Sequence, residues 1–180
     1  MALFFCQNIT FLLHVTYRYC IMYISITERT AKTMDYDDYS KACDEIKAKN
    51  SEYLALFKQD LIDEGLKDST IKRHLSNVDF YINDFLLYEE PLAMEYGMGR
   101  IDSFLGDFFI RKCMWSTPGN IKSTAASIKK FYKHMMDRGI VKKKDYEFLC
   151  SEIKMGMEDW QSDCAIFNDP DEPNPFAFFF

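Results

Sequence analysis

The stretch STPGNIKSTAASIKKFYKHMMDRGIV, Ser116 to Val141, decides the fold class. Thr117 carries the short oxygen-bearing side chain suited to an N-cap, and Pro118 follows in the first helical turn, where a missing N–H does no harm. Gly139 stands where a helix commonly stops in a left-handed residue. Between these bounds Ile121, Ala125, Ile128, Tyr132 and Met135 point one way. Lys122, Lys129 and Lys133 align within about 40° of each other, roughly a quarter-turn round, and Lys130 flanks them. The spacing predicts one bounded helix with an apolar edge and a lysine stripe.

Working upstream, Met98, Ile101, Leu105 and Phe108 predict a helix from about Met98 to Lys112, with Phe104 and Phe109 beside that face. Its aromatic content places it centrally in the packing. Pro91 breaks the pattern before it, because the residue preceding a proline avoids helical geometry. Ile71, Leu75, Val78, Ile82, Phe85 and Leu86 define a further helix to about Tyr88, with Ser69 as its expected N-cap and Lys72, Ser76 and Asn83 on its polar side. Tyr53, Leu54, Phe57, Leu61 and Ile62 define another, from Asn50 to a stop at Gly65, and Asp35 to Lys49 has a weaker amphipathic pattern. Downstream, Tyr146, Leu149, Ile153 and Met157 predict a helix over about Lys144 to Glu158. Strand patterning is absent outside the ambiguous first segment. The expected fold is all-α, a compact bundle of four or five short helices.

The chain has 180 residues, 48% hydrophobic and 16% aromatic, ample for one core with tails. Three regions are expected: an apolar segment over 1–33, a helical domain over 34–160, and an irregular acidic and aromatic tail over 161–180. The first segment lacks a basic leader and a small-residue cleavage site. Gln7, Asn8, His14 and Arg18 also interrupt the ~20 apolar residues that spanning a membrane requires, so neither a signal peptide nor a membrane span is expected. The six cysteines, Cys6, Cys20, Cys43, Cys113, Cys150 and Cys164, are far apart and form no metal-ligand spacing. They read as reduced thiols of a cytoplasmic protein.

Sites for small-molecule chemistry are not legible. His14, His74 and His134 are too scattered to hold a metal. No glycine-rich phosphate loop or Gly-x-Ser-x-Gly element occurs, and the DPDE of the tail lacks the twelve-residue calcium pattern. No catalytic residue, cofactor, metal or small-molecule substrate is expected, and the chain is not read as an enzyme. Trp115 and Trp160 are expected as core or interhelix anchors.

Charge is distributed unevenly. The formal net charge is −6, yet Arg111 to Asp145 holds ten bases and two acids, a balance of +8, leaving −14 for the rest. Lysines stacked at i,i+4 spacing repel one another by a few tenths of a kcal/mol per pair, so an isolated helix gains nothing from the stripe. A polyanion would relieve that repulsion, and a phosphate backbone is the obvious one.

The order of elements adds a resemblance. Gly65 and Leu66 followed by Ser69, Thr70 and Ile71, and later Thr117, Pro118, Ile121, Ile128, Phe131, Tyr132, Gly139 and Ile140, resemble the N-terminal core-binding domain of tyrosine recombinases and phage integrases, the SAM-like domain. The likeness covers roughly residues 50 to 142. In that family the domain clamps double-stranded DNA with the helices corresponding to the one expected from Ser69 to Tyr88 and the one bounded by Thr117 and Gly139 here. The resemblance therefore implies a DNA-binding set of Lys72, Arg73, Ser76, Asn120, Lys122, Ser123, Lys129, Lys130 and Lys133. The family's catalytic domain needs a His-x-x-Arg motif, which this chain lacks, so a catalytic recombinase partner in another chain is implied for any strand cleavage. The alternatives are a helical protein-interaction module that has lost DNA binding, and a truncated recombinase remnant.

Composition changes abruptly at Met34, where an ordinary polar helix-forming sequence begins. The expectation is that Met34 is the natural start and that residues 1–33 come from an upstream start; an intact mass from the native cell that included residue 1 would contradict it.

Overall fold

The computed structural model describes residues 35–177. The expectations for residues 1–33, including the choice of start, fall outside the described residues. The chain divides into two units, residues 1–38 and 39–180. Of the first, only residues 35–38 are described, at the opening of helix α1.

Every regular element among the described residues is helical, so the fold is all-α. Helix α1 spans Tyr36–Asp63. Helix α2 spans Asp68–Asp79 and widens into a π-helical turn over Phe80–Phe85. Helix α3 is composite: a 3-10 coil over Met94–Arg100, a short α segment over Ile101–Ser103, a π turn over Phe104–Phe108 and a last α turn over Phe109–Lys112. Helix α4 spans Pro118–Asp137 and α5 spans Lys143–Phe167. With 28 residues in α1 and 25 in α5, the bundle is not one of short helices only.

Local signals account for most boundaries. Thr117 is the N-cap of α4, its hydroxyl accepting from the Asn120 N–H at 3.1 Å. Gly65 and Gly139 have φ of 75° and 73°. At each, the glycine N–H reaches back three residues and the next N–H reaches back five, as in Leu66 N to Leu61 O at 3.1 Å and Ile140 N to Met135 O at 2.9 Å. That is a Schellman stop, which a side chain on the glycine would strain.

Other boundaries differ from expectation for physical reasons. The two patterns on either side of Asn50 are one helix. Asn50 reads as a break because it is polar, but it is 1% exposed and its amide donates to Ile82 O at 3.1 Å and Asn83 Oδ1 at 2.9 Å. Ser69 is not the N-cap of α2. Lys67 occupies that position without a side-chain cap, its carbonyl accepting from Thr70 and Ile71, and Asp68 puts a carboxylate in the first turn, where the helix dipole favours it. Helix α5 runs nine residues beyond Glu158, because Trp160 and Cys164 continue its buried row. The tail past it is anchored rather than loose: Phe176 is buried against Phe167, with ring centroids 5.7 Å apart.

The two π turns face each other. Tyr81 and Phe85 each lie 4.8 Å from Phe104, and Phe80 packs beside them at 5.8 Å, so α3 does lie centrally. Trp160 closes the other side of α3, 3% exposed, with its indole N–H donating to Asp102 Oδ1 at 2.9 Å. A Cβ added at Gly106 would come 2.7 Å from this ring, whereas one at Gly99 would meet nothing. Gly106→Ala is therefore expected to cost about 1–3 kcal/mol in overpacking strain. Urea unfolding followed by far-UV circular dichroism should show a lowered midpoint for Gly106→Ala and none for Gly99→Ala.

Candidate nucleic-acid interface

Helices α2 and α4 pack along a polar seam. Ser127 is completely buried at its centre. Its hydroxyl donates to Ser123 O at 2.9 Å, which uses its only proton. Its oxygen then accepts from Asn77 Nδ2 at 3.0 Å and from His74 Nδ1 at 2.9 Å, so His74 carries its proton on Nδ1. Farther along, Phe80 of α2 meets Trp115, at the entry to α4, with centroids 6.2 Å apart. Partners rise in number on α2 as they fall toward the start of α4, so the two helices run antiparallel.

A groove of about 390 Å³ opens along this seam. It brings together Arg73, Ser76, Asn120 and Ser123, four residues of the set implied by the resemblance, and adds Trp115, Asp79 and Asp84. Asn120 is partly committed, because its Nδ2 donates to Trp115 O at 2.8 Å. Trp115 is 60% exposed, unlike Trp160, so it is not a core anchor. It sits outside the apolar rows of both neighbouring helices, and nothing in its helical spacing marks it. Sequence reasoning missed it as a site residue for that reason.

The lysines stand differently. Lys122, Lys129 and Lys133 lie roughly 80–120° round α4 from Ser123, on the outer side of the helix, so they flank the groove and do not line it. Lys133 is tied to Asp137 at 2.6 Å and Lys130 to Glu64, in the turn after α1, at 2.7 Å. The Lys130 ammonium holds the Glu64 carboxyl below its ordinary range. Lys72, Arg73, Lys122 and Lys129 make no ion pair with any described residue. The positive segment is thus partly spent on the fold: Arg138 pairs with Asp60, and His134 sits between Asp60 and Glu64 at 3.2 Å from each.

Two titrating groups report the field along the seam. Burial depresses His74 below its ordinary value, and the charges of Arg73 and Lys130 depress it further, so both cations are felt at the ring. Burial raises Asp84, and neighbouring Asp79 raises it more. Arg73 lines one part of the groove wall, and Asp79 and Asp84 line another.

Among the described residues no group of three or more histidine, cysteine or acidic side chains is placed to hold a metal, and no helix is long and apolar enough to cross a membrane. Cys43, Cys113, Cys150 and Cys164 are unpaired. Comparison with family models, curated proteins and solved structures finds no match to the chain.

Ser127→Ala leaves the Asn77 and His74 donors without an acceptor and is expected to lower stability by about 1–2 kcal/mol in denaturant unfolding. A depressed histidine binds fewer protons folded than unfolded, so its contribution is lost as pH drops below the ordinary value of 6.5. The urea midpoint of the wild type should fall on acidification through that value, and His74→Asn should remove part of the fall.

Proposed function

We propose that this chain is a non-catalytic module that binds double-stranded DNA across the outer faces of α2 and α4, as the resemblance to the recombinase core-binding domain suggests. The observation that carries the reading is that Lys72, Arg73, Lys122 and Lys129 are left without carboxylate partners among the described residues, on two adjoining helices of a chain with an excess of acids. Four cations held clear of the described carboxylates on adjoining helices are open to an outside anion. Arg73 stands at the groove, and Ser76, Asn120 and Ser123 offer short polar groups of the kind that read base edges once phosphate contacts have set the register.

The N-terminus of α4 adds a favourable dipole at the same end of the seam as Asn120. The surrounding acids weaken binding, and the cation–phosphate contacts make it salt-sensitive. The module works in the cytoplasm, in a recombination or integration setting, where strand cleavage comes from a catalytic partner in another chain.

Fluorescence anisotropy with a labelled duplex at low salt tests the reading. With four free cations, the slope of log K against log salt should be roughly −3 to −4. Lys129→Gln should flatten it by about one unit, and Lys133→Gln should change it little, because Asp137 already holds that ammonium. Absence of binding at about tens of micromolar protein, or affinity unchanged by joint reversal of Lys122 and Lys129 to glutamate, would reject it.

A further inference from the structure

We propose that the groove between α2 and α4 takes a single unpaired nucleobase, stacked on Trp115, so that the module prefers DNA carrying an extrahelical base over perfect duplex. This rests on the DNA-binding reading and names what its groove selects.

The first support is the way Trp115 is presented. A solvent-exposed tryptophan on a loose loop would mean little, but this loop is pinned from three sides. Trp115 O accepts from Asn120 Nδ2 at 2.8 Å, Ser116 O accepts from Asn168 Nδ2 of the turn after α5 at 2.9 Å, and Ser116 Oγ donates to Ile110 O at 3.2 Å. The indole leans on Phe80 at 59° between planes, leaving most of its surface to the groove. The backbone that carries the ring is held and the ring itself is left largely uncovered, and such rings stack bases of any identity.

The groove also has the wrong charge for a phosphate at its inner end. Asp79 and Asp84 line it with Phe80 and Phe109, and Asp84 is already raised by burial and by its neighbour. A second anion brought there would meet two carboxylates. A neutral base would not.

Donors and acceptors for a base edge are present together: the Arg73 guanidinium, the hydroxyls of Ser76 and Ser123, the Asn120 carbonyl oxygen and the Asp79 and Asp84 carboxylates. Only an unpaired base turns its pairing edge outward, and only a base out of the stack can enter a groove about 390 Å³ in volume. The lysines outside the groove would meanwhile hold the flanking phosphates.

The test compares two labelled duplexes of equal length, one perfect and one with a single bulged base, against the full chain. The bulged duplex is expected to bind about ten-fold tighter, in the range of one aromatic stacking contact. Trp115→Ala should abolish that difference by weakening the bulged duplex more than the perfect one, with circular dichroism confirming the fold. In the wild type, tryptophan emission should be quenched more by the bulged duplex than by the perfect one, because Trp160 is buried and Trp115 is not. Equal affinity for the two duplexes, or an equal loss for both in Trp115→Ala, would overturn this inference and leave the DNA-binding reading standing. Binding of neither duplex would overturn both.

Discussion

The buried hydroxyl of Ser127 is the constraint on which the interface depends. It serves Ser123, Asn77 and His74 at once, and in doing so fixes where α2 meets α4; the Phe80–Trp115 contact farther along completes the antiparallel register. A polar group with no exposed surface is tolerated only when fully bonded, so this contact specifies a register that an apolar contact would leave free to slide. Once the register is set, Arg73, Ser76, Asn120 and Ser123 fall on one groove, and the cation side of α4 is turned toward solvent.

Electrostatics follow from the same packing. Asp60 of α1 and Glu64 in the turn just after it take up His134 and Lys130 from α4 and Arg138 at its C-cap. These acids bind the end of α1 to α4 and leave Lys122 and Lys129 on its outer side without a carboxylate partner among the described residues. Exposed ion pairs of this type add little stability each, about 0–1 kcal/mol, so their larger effect is on where positive charge remains. The acidic excess of the chain thus coexists with a cationic face, with Asp79 and Asp84 lining the groove beside it.

The sequence made the apolar faces legible because burial imposes the helical period directly. Ile121, Ala125, Ile128, Tyr132 and Met135 are all buried, and Thr117 and Gly139 bound α4 as their chemistry requires. It misled where a local rule yielded to tertiary contact: Asn50 looks like a helix end until Ile82 O and Asn83 receive its amide, and Ser69 looks like a cap while Lys67 takes the position. The π turns at Phe80–Phe85 and Phe104–Phe108 had no signature beyond aromatic density. For the site, residue type and face were legible, and so was the i,i+4 pair of Lys133 with Asp137. Partners remote in sequence were not: nothing marks Glu64 as the partner of Lys130, or Trp115 as exposed.

The central claim is that the α2–α4 face is where the chain meets DNA. Amide chemical-shift mapping of the labelled protein during titration with a duplex tests it most directly. The account predicts that shifts concentrate on α2 around Lys72 to Ser76 and on the first half of α4, from Asn120 to Lys129. Shifts clustered on the outer face of α5 or the early turns of α1, or none at saturating duplex, would contradict it.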